Sequence, residues 1–129
     1  MQVLSHQNAS TIPALVGAVR QGRLVCLVAD RDLEGTGVEV SWRDQRVTMP
    51  AGPAMVARRT GAALFAAVCQ FTPAGMRINF SEVIEQRPGR DGLRAMTQDI
   101  ADYFADQIAQ QPQDWHMLQP FFRESPGQP

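Results

Sequence analysis

The sequence predicts an α/β fold, a mixed β-sheet flanked by helices. Three observations point there. Helix-like and strand-like patterns alternate along the chain. One run, Leu24-Val25-Cys26-Leu27-Val28-Ala29, is short, continuous and apolar, as a strand covered on both faces is. Late in the chain, Leu93, Met96, Ile100, Tyr103, Phe104 and Ile108 recur at helical spacing and trace one apolar stripe.

Each element follows in order. Residues 11–21 read as a helix, because Ile12, Leu15, Val16 and Val19 share one face. Ser10 or Thr11 can cap its start, Pro13 suits the first turn and Gly22 can end it. The apolar run 24–29 then reads as a strand, and Asp30-Arg31-Asp32 breaks it. Gly35 and Gly37 open a loop. Residues 38–42 and 46–49 alternate apolar and polar, with Asp44-Gln45 as the expected hairpin turn. A second helix is expected over 53–60, introduced by Pro50-Ala51-Gly52-Pro53 and stopped by Gly61. Residues 64–71 and 76–83 read as paired strands around Pro73-Ala74-Gly75, and 86–92 as loop. The final helix carries Asp99, Asp102 and Asp106 beside its apolar stripe, and these are expected to form a solvated face. Pro112 ends it, and an aromatic segment follows over 115–122. A first helix with no strong strand before it is unusual for such folds, which points to further material upstream.

The chain has 129 residues, enough for one domain, expected over 1–123 with a frayed tail at 124–129. Hydrophobic residues make up 44% and charged residues 19%, a globular composition that argues against a disordered chain. A net charge of −1 gives no global electrostatic reason to bind nucleic acid. All 12 basic residues are arginine, whose planar fork suits phosphate and carboxylate, although base composition of the genome also accounts for it. Cys26 and Cys69 lie in apolar runs and are expected to be buried thiols rather than a disulfide. The longest apolar stretches fall well short of the roughly 20 residues needed to span a bilayer. The N-terminus lacks a basic start and an apolar signal core, which leaves attachment to a membrane surface open.

Asp30-Arg31-Asp32 is the strongest local candidate for chemistry. It follows the C-terminal end of an expected strand, where ligands gather in open α/β sheets. Two carboxylates around an arginine can orient a catalytic base or hold sugar hydroxyls, or they can pin a loop. Glu39 alternates with Val38 and Val40, so it faces solvent or a cleft. Gly52 stands at a helix start whose N–H groups can receive an anion, and Arg58 and Arg59 can grip phosphate or stay solvated. His6 and His116 have no metal-ligand partner at usable spacing. Neither has an acid five residues on, since Thr11 and Phe121 stand there. No nucleophile elbow, phosphate loop or dinucleotide fingerprint occurs. A general base contributes about 10²–10⁴ in rate, so its absence argues against a self-sufficient enzyme. Trp42 and Trp115 fit either core packing or a membrane–water boundary.

Residues 22–33, Gly-Arg-Leu-Val-Cys-Leu-Val-Ala-Asp-Arg-Asp-Leu, are similar to a segment of the lysophospholipid acyltransferase superfamily. The branch is that of lipid A lauroyl acyltransferases and phosphatidylinositol mannoside acyltransferases. Gly37-Val38-Glu39-Val40, Met49-Pro50-Ala51-Gly52-Pro53-Ala54 and Arg59-Thr60-Gly61-Ala62 continue the likeness in order. Residues 112–120, Pro-Gln-Asp-Trp-His-Met-Leu-Gln-Pro, close it and favour the mannoside branch. The resemblance implies the C-terminal portion of an acyl-CoA-dependent O-acyltransferase. It would move a long fatty acyl chain to a mannose of a phosphatidylinositol mannoside, peripherally attached at the cytoplasmic face of the membrane. It implies acyl-CoA as donor substrate and no resident cofactor or metal. The family's catalytic His-x-x-x-x-Asp lies in its N-terminal half and matches no position here, so this chain alone is expected to be inactive. By context Glu39 matches the glutamate that assists that histidine. Asp30, Arg31 and Asp32 match the segment shaping the acceptor site, and Gly52 or Arg58 would meet phosphate. The alternative is a non-catalytic lipid- or acyl-chain-binding module derived from the family. Ser41-Trp42-Arg43 stands where relatives often carry an aromatic pair and glycine.

Overall fold

The computed structural model describes residues 1–5 and 9–122; the expected tail 124–129 and His6 lie outside the described residues. Helix α1 covers Thr11–Arg20 and buries Leu15 and Val16 against Val56, with Ile12, Val19 and Val25 alongside. Ser10 stands at the N-cap without a side-chain cap to the helix. Thr11 donates its hydroxyl to the Ser5 carbonyl at 2.5 Å instead.

The apolar run 24–29 does not form a strand. A strand is defined by the neighbour that bonds its backbone, and none is found among the described residues. Among the described residues the backbone groups of 24–29 make no hydrogen bond. Leu24 is 91% exposed and Val28 90%. Cys26 therefore lies exposed rather than buried. Cys69 is exposed too, on an uncovered strand face, and both thiols are free.

β1 (Val38–Trp42) and β2 (Gln45–Met49) form the expected antiparallel hairpin. Its register pairs Trp42 with Gln45, so the turn is Arg43-Asp44, one residue earlier than expected. Arg43 takes the left-handed backbone (φ 55°) that glycine would adopt more readily. Alternation sends Val40, Trp42, Val47 and Met49 into the core and leaves Glu39 and Ser41 exposed on the other face. Helix α2 (Gly52–Thr60) ends at Gly61, whose φ of 73° and N–H bond to the Ala57 carbonyl make a left-handed C-cap.

β3 (Ala67–Thr72) and β4 (Gly75–Phe80) form a second antiparallel pair, three residues shorter than expected at the open end of each strand and one longer at the turn. Backbone bonds from Ser81 to Ala66 and from Ile84 to Leu64 continue the contact past the strands. Helix α3 (Gly89–Gln110) begins inside the expected loop. Its buried Met96, Ile100, Ala101, Phe104 and Ala105 join the hairpin core and Ala54 and Ala57 of α2 in one cluster. A short 3₁₀ turn, Pro112–Asp114, follows. The acidic stripe is not simply solvated. Asp99 pairs with Arg87 at 2.6 Å, Asp102 accepts from Gln98, and Asp106 lies 3.7 Å from Arg43.

The α/β class holds: among the described residues three helices pack with two small antiparallel sheets, ordered β1-β2 and β3-β4. Among the described residues no helix is long and apolar enough to cross a membrane.

Candidate functional site

The site is built on an aromatic cluster. Trp42 ends β1 facing the core, and Trp115 stacks on it with centroids 5.5 Å apart and planes 14° from parallel. Phe121 meets both indoles edge-on, at 4.8 and 5.0 Å, and Phe122 follows at 5.2 Å. Offset and edge-to-face contacts of this kind add about 0.5–1.5 kcal/mol each beyond area burial. They hold the segment after α3 against the first hairpin. The indole Nε1–H of Trp115 donates to the Asp30 carboxylate at 2.9 Å, tying that segment to the Asp30-Arg31-Asp32 turn. Asp32 is anchored separately, accepting the Gly37 N–H at 2.8 Å. Gly37 is held tightly: a Cβ there would lie 2.2 Å from the Met49 carbonyl oxygen and 2.8 Å from Asp32 Oδ2.

The walls made this way enclose a cleft of about 430 Å³ lined by Arg31, Asp32, Thr48, Met117 and the 119–122 segment. Thr48 is the cross-strand partner of Glu39, so Glu39 stands on the strand face that borders this cleft. Its carboxylate pairs with Arg46 at 3.3 Å in an exposed contact. Arg31 is half-buried in the cleft wall, and among the described residues its guanidinium has no hydrogen-bond or ion-pair partner. A partnerless guanidinium beside an anchored carboxylate and a threonine is suited to grip phosphate or sugar oxygens with its planar fork.

The structure therefore divides the expected site residues. Arg31, Asp32 and Glu39 gather at or beside the cleft. Asp30 faces a second opening of about 340 Å³, lined by Leu27, Val28, β3 residues 67–70 and Phe104. Gly52 and Arg58 do not line the cleft. A Cβ at Gly52 would make only ordinary contact, 3.7 Å from Ile12 Cδ1, and Arg58 donates to the Gly89 carbonyl at 2.8 Å, clamping α2 to the start of α3. Sequence reasoning missed the Trp115–Asp30 bond, which joins residues 85 apart. It also missed Gln98, whose amide both accepts from and donates to the Ser41 backbone at 2.8 Å, in place of a neighbouring strand. Arg94 adds a bond from its Nε–H to the Glu39 carbonyl at 3.0 Å. So α3 sets the position of β1, and with it the Glu39 backbone.

Comparison with known proteins bears on this geometry. The family model described as bacterial lipid A biosynthesis acyltransferase matches residues 1–124. A protein named phosphatidylinositol mannoside acyltransferase in Mycobacterium tuberculosis H37Rv is 45% identical over 117 residues, 91% of this chain and 36% of that protein. One of the same name in Mycolicibacterium smegmatis is 42% identical over 106 residues, covering 82% of this chain and 34% of that protein. The chain thus spans about a third of the length of the curated relatives it matches.

Proposed function

Because this chain belongs to the bacterial lipid A biosynthesis acyltransferase family, we propose that it forms the acceptor-side wall of an O-acyltransferase acting on a phosphatidylinositol mannoside. The observation that carries the reading is the 45% identity, over 91% of the chain, to a relative named for that activity. The cleft around Arg31 and Asp32 supports it, since a mannoside bearing a phosphate offers the oxygens such a wall can hold. Acyl-CoA is the donor, and the reaction takes place at the cytoplasmic face of the membrane, where the enzyme attaches peripherally.

In this reading the acceptor mannose hydroxyl gives its proton to an imidazole supplied by the rest of the enzyme. The hydroxyl oxygen bonds to the thioester carbonyl carbon. The carbon–sulfur bond then breaks, and the departing thiolate takes the proton back from the imidazolium. Glu39 orients the imidazole. Arg31 holds acceptor oxygens, while Asp30 and Asp32, each already anchored through one oxygen, fix the turn that presents it. This chain alone transfers nothing, because no His-x-x-x-x-Asp stands in it.

The test is a full-length hybrid: the Mycobacterium tuberculosis relative with its matching segment replaced by this chain. With acyl-CoA and a phosphatidylinositol mannoside, mass spectrometry should detect the acylated product from the hybrid and none from the isolated chain. Glu39→Gln in the hybrid should lower turnover at least about tenfold with melting unchanged. Parent-level turnover would remove Glu39 from the mechanism, and a folded hybrid that makes no product would overturn the reading.

A further inference from the structure

The second opening lies between two strand-like edges that lack partners. Phe71 shows which way the β3 edge faces. Its N–H is bonded by the Asp114 carboxylate at 2.7 Å and its carbonyl by the Gln111 amide at 2.9 Å, so both groups point away from β4. Backbone direction repeats every second residue in an antiparallel pair. The N–H and C=O groups of Cys69 and Ala67 therefore point the same way, and among the described residues nothing bonds them there. Residues 67–70 form one wall of the opening. Leu27, Val28, Ala29 and Asp30 form the other, from the apolar run whose backbone is also unbonded. Gln111 and Asp114 close one end of the gap and are themselves hydrogen-bonded to each other.

We propose that this gap receives a β-strand from the part of the enzyme that the chain does not include, hydrogen-bonded on one side to residues 25–29 and on the other to the β3 edge. Backbone chemistry selects the occupant. Unbonded peptide groups in both walls are costly when covered by anything that cannot bond them. A fatty acyl chain offers no donor or acceptor, whereas an extended polypeptide offers both along both of its edges. The apolar side chains Leu27, Val28 and Val68 lining the gap call for apolar residues on the inserted strand. The relatives carry almost two-thirds of their length beyond the matched segment, so the material for such a strand exists. Insertion would give the run 24–29 the hydrogen-bonded neighbour that makes a strand of it. The inference rests on family membership and backbone geometry, and it does not need the acyl-transfer reading to be right.

The experiment compares amide hydrogen exchange in this chain alone and within the hybrid described above, without substrates. Alternate amides within Val25 to Ala29, together with those of Ala67 and Cys69, should exchange at least about 100-fold more slowly in the hybrid, while those in the middle of α3 are protected in both. Cys69→Pro removes an edge donor that β4 does not use, and should restore fast exchange over 25–29 with α3 still protected. If these amides exchange equally fast in the folded hybrid, the proposal fails. It also fails if the chain alone becomes protected with rising concentration, which would make a second copy the occupant, or on addition of acyl-CoA, which would make it a ligand. Should the hybrid leave α3 unprotected, exchange at the aligned positions of the parent relative decides by the same criteria. Because no turnover is read, protection without acylation and acylation without protection are separable results.

Discussion

Trp115 places its ring on Trp42 and its N–H on Asp30, so one side chain fixes both the aromatic cluster and the acidic turn. Trp115→Phe keeps an aromatic ring and removes the donor. It should cost about 1 kcal/mol, read as a lower denaturation midpoint, because the half-buried Asp30 loses a charge-assisted bond. Asp30→Asn, which keeps an accepting oxygen, should cost less. Gly37→Ala should be worse than either. Its methyl would collide with the Met49 carbonyl, and the shift that relieves this breaks the Asp32 bond, so a loss of about 1–3 kcal/mol is expected in the same assay. The types and positions of these residues were legible in the sequence, but their contacts were not. Asp30-Arg31-Asp32 stood out because charge interrupts an apolar run. That Asp30 would turn to an indole 85 residues away, leaving Arg31 facing the cleft, depends on tertiary folding that no local pattern encodes.

Elements whose signals are local came out where the sequence put them. The α1 face, the Gly61 stop, the two hairpins and the α3 stripe each rest on periodicity or a turn residue within a few positions. The hairpin turn moved by one residue because the core-facing alternation of Val40, Trp42, Val47 and Met49 sets the register, leaving Arg43 to accept a left-handed backbone. Residues 24–29 went the other way. Their composition suits a buried strand, but strand formation needs a partner, and composition cannot supply one. Cys26 is exposed with that run, and Cys69 on the uncovered face of β3. At β1 the missing neighbour is replaced by α3, through the Gln98 amide on Ser41. Gln98→Ala should therefore speed exchange of the Ser41 amide at least about tenfold while leaving the middle of α3 protected. An unchanged Ser41 rate would mean that the hairpin holds its place through core packing alone.

At the scale of the molecule, one side is finished and another is open. The cluster of hairpin, α2 and α3 is densely buried, and the cleft with Arg31, Asp32 and Thr48 in its wall lies beside it. On the other side, among the described residues, backbone partners are lacking for the 24–29 run and for Ala67 and Cys69 on the outer edge of β3, and Phe71, Met76, Ile78 and Phe80 leave one face of the second hairpin exposed. A chain matching about a third of its relatives' length is expected to have such a side. The central claim is that the closed side grips the acceptor while the remainder brings the proton-accepting base. Kinetics of Arg31→Ala in the hybrid enzyme test it most directly. KM for the mannoside should rise about tenfold, the loss of one charge-assisted contact, while KM for acyl-CoA stays within about twofold. A rise confined to acyl-CoA, or no change in either constant, would contradict it.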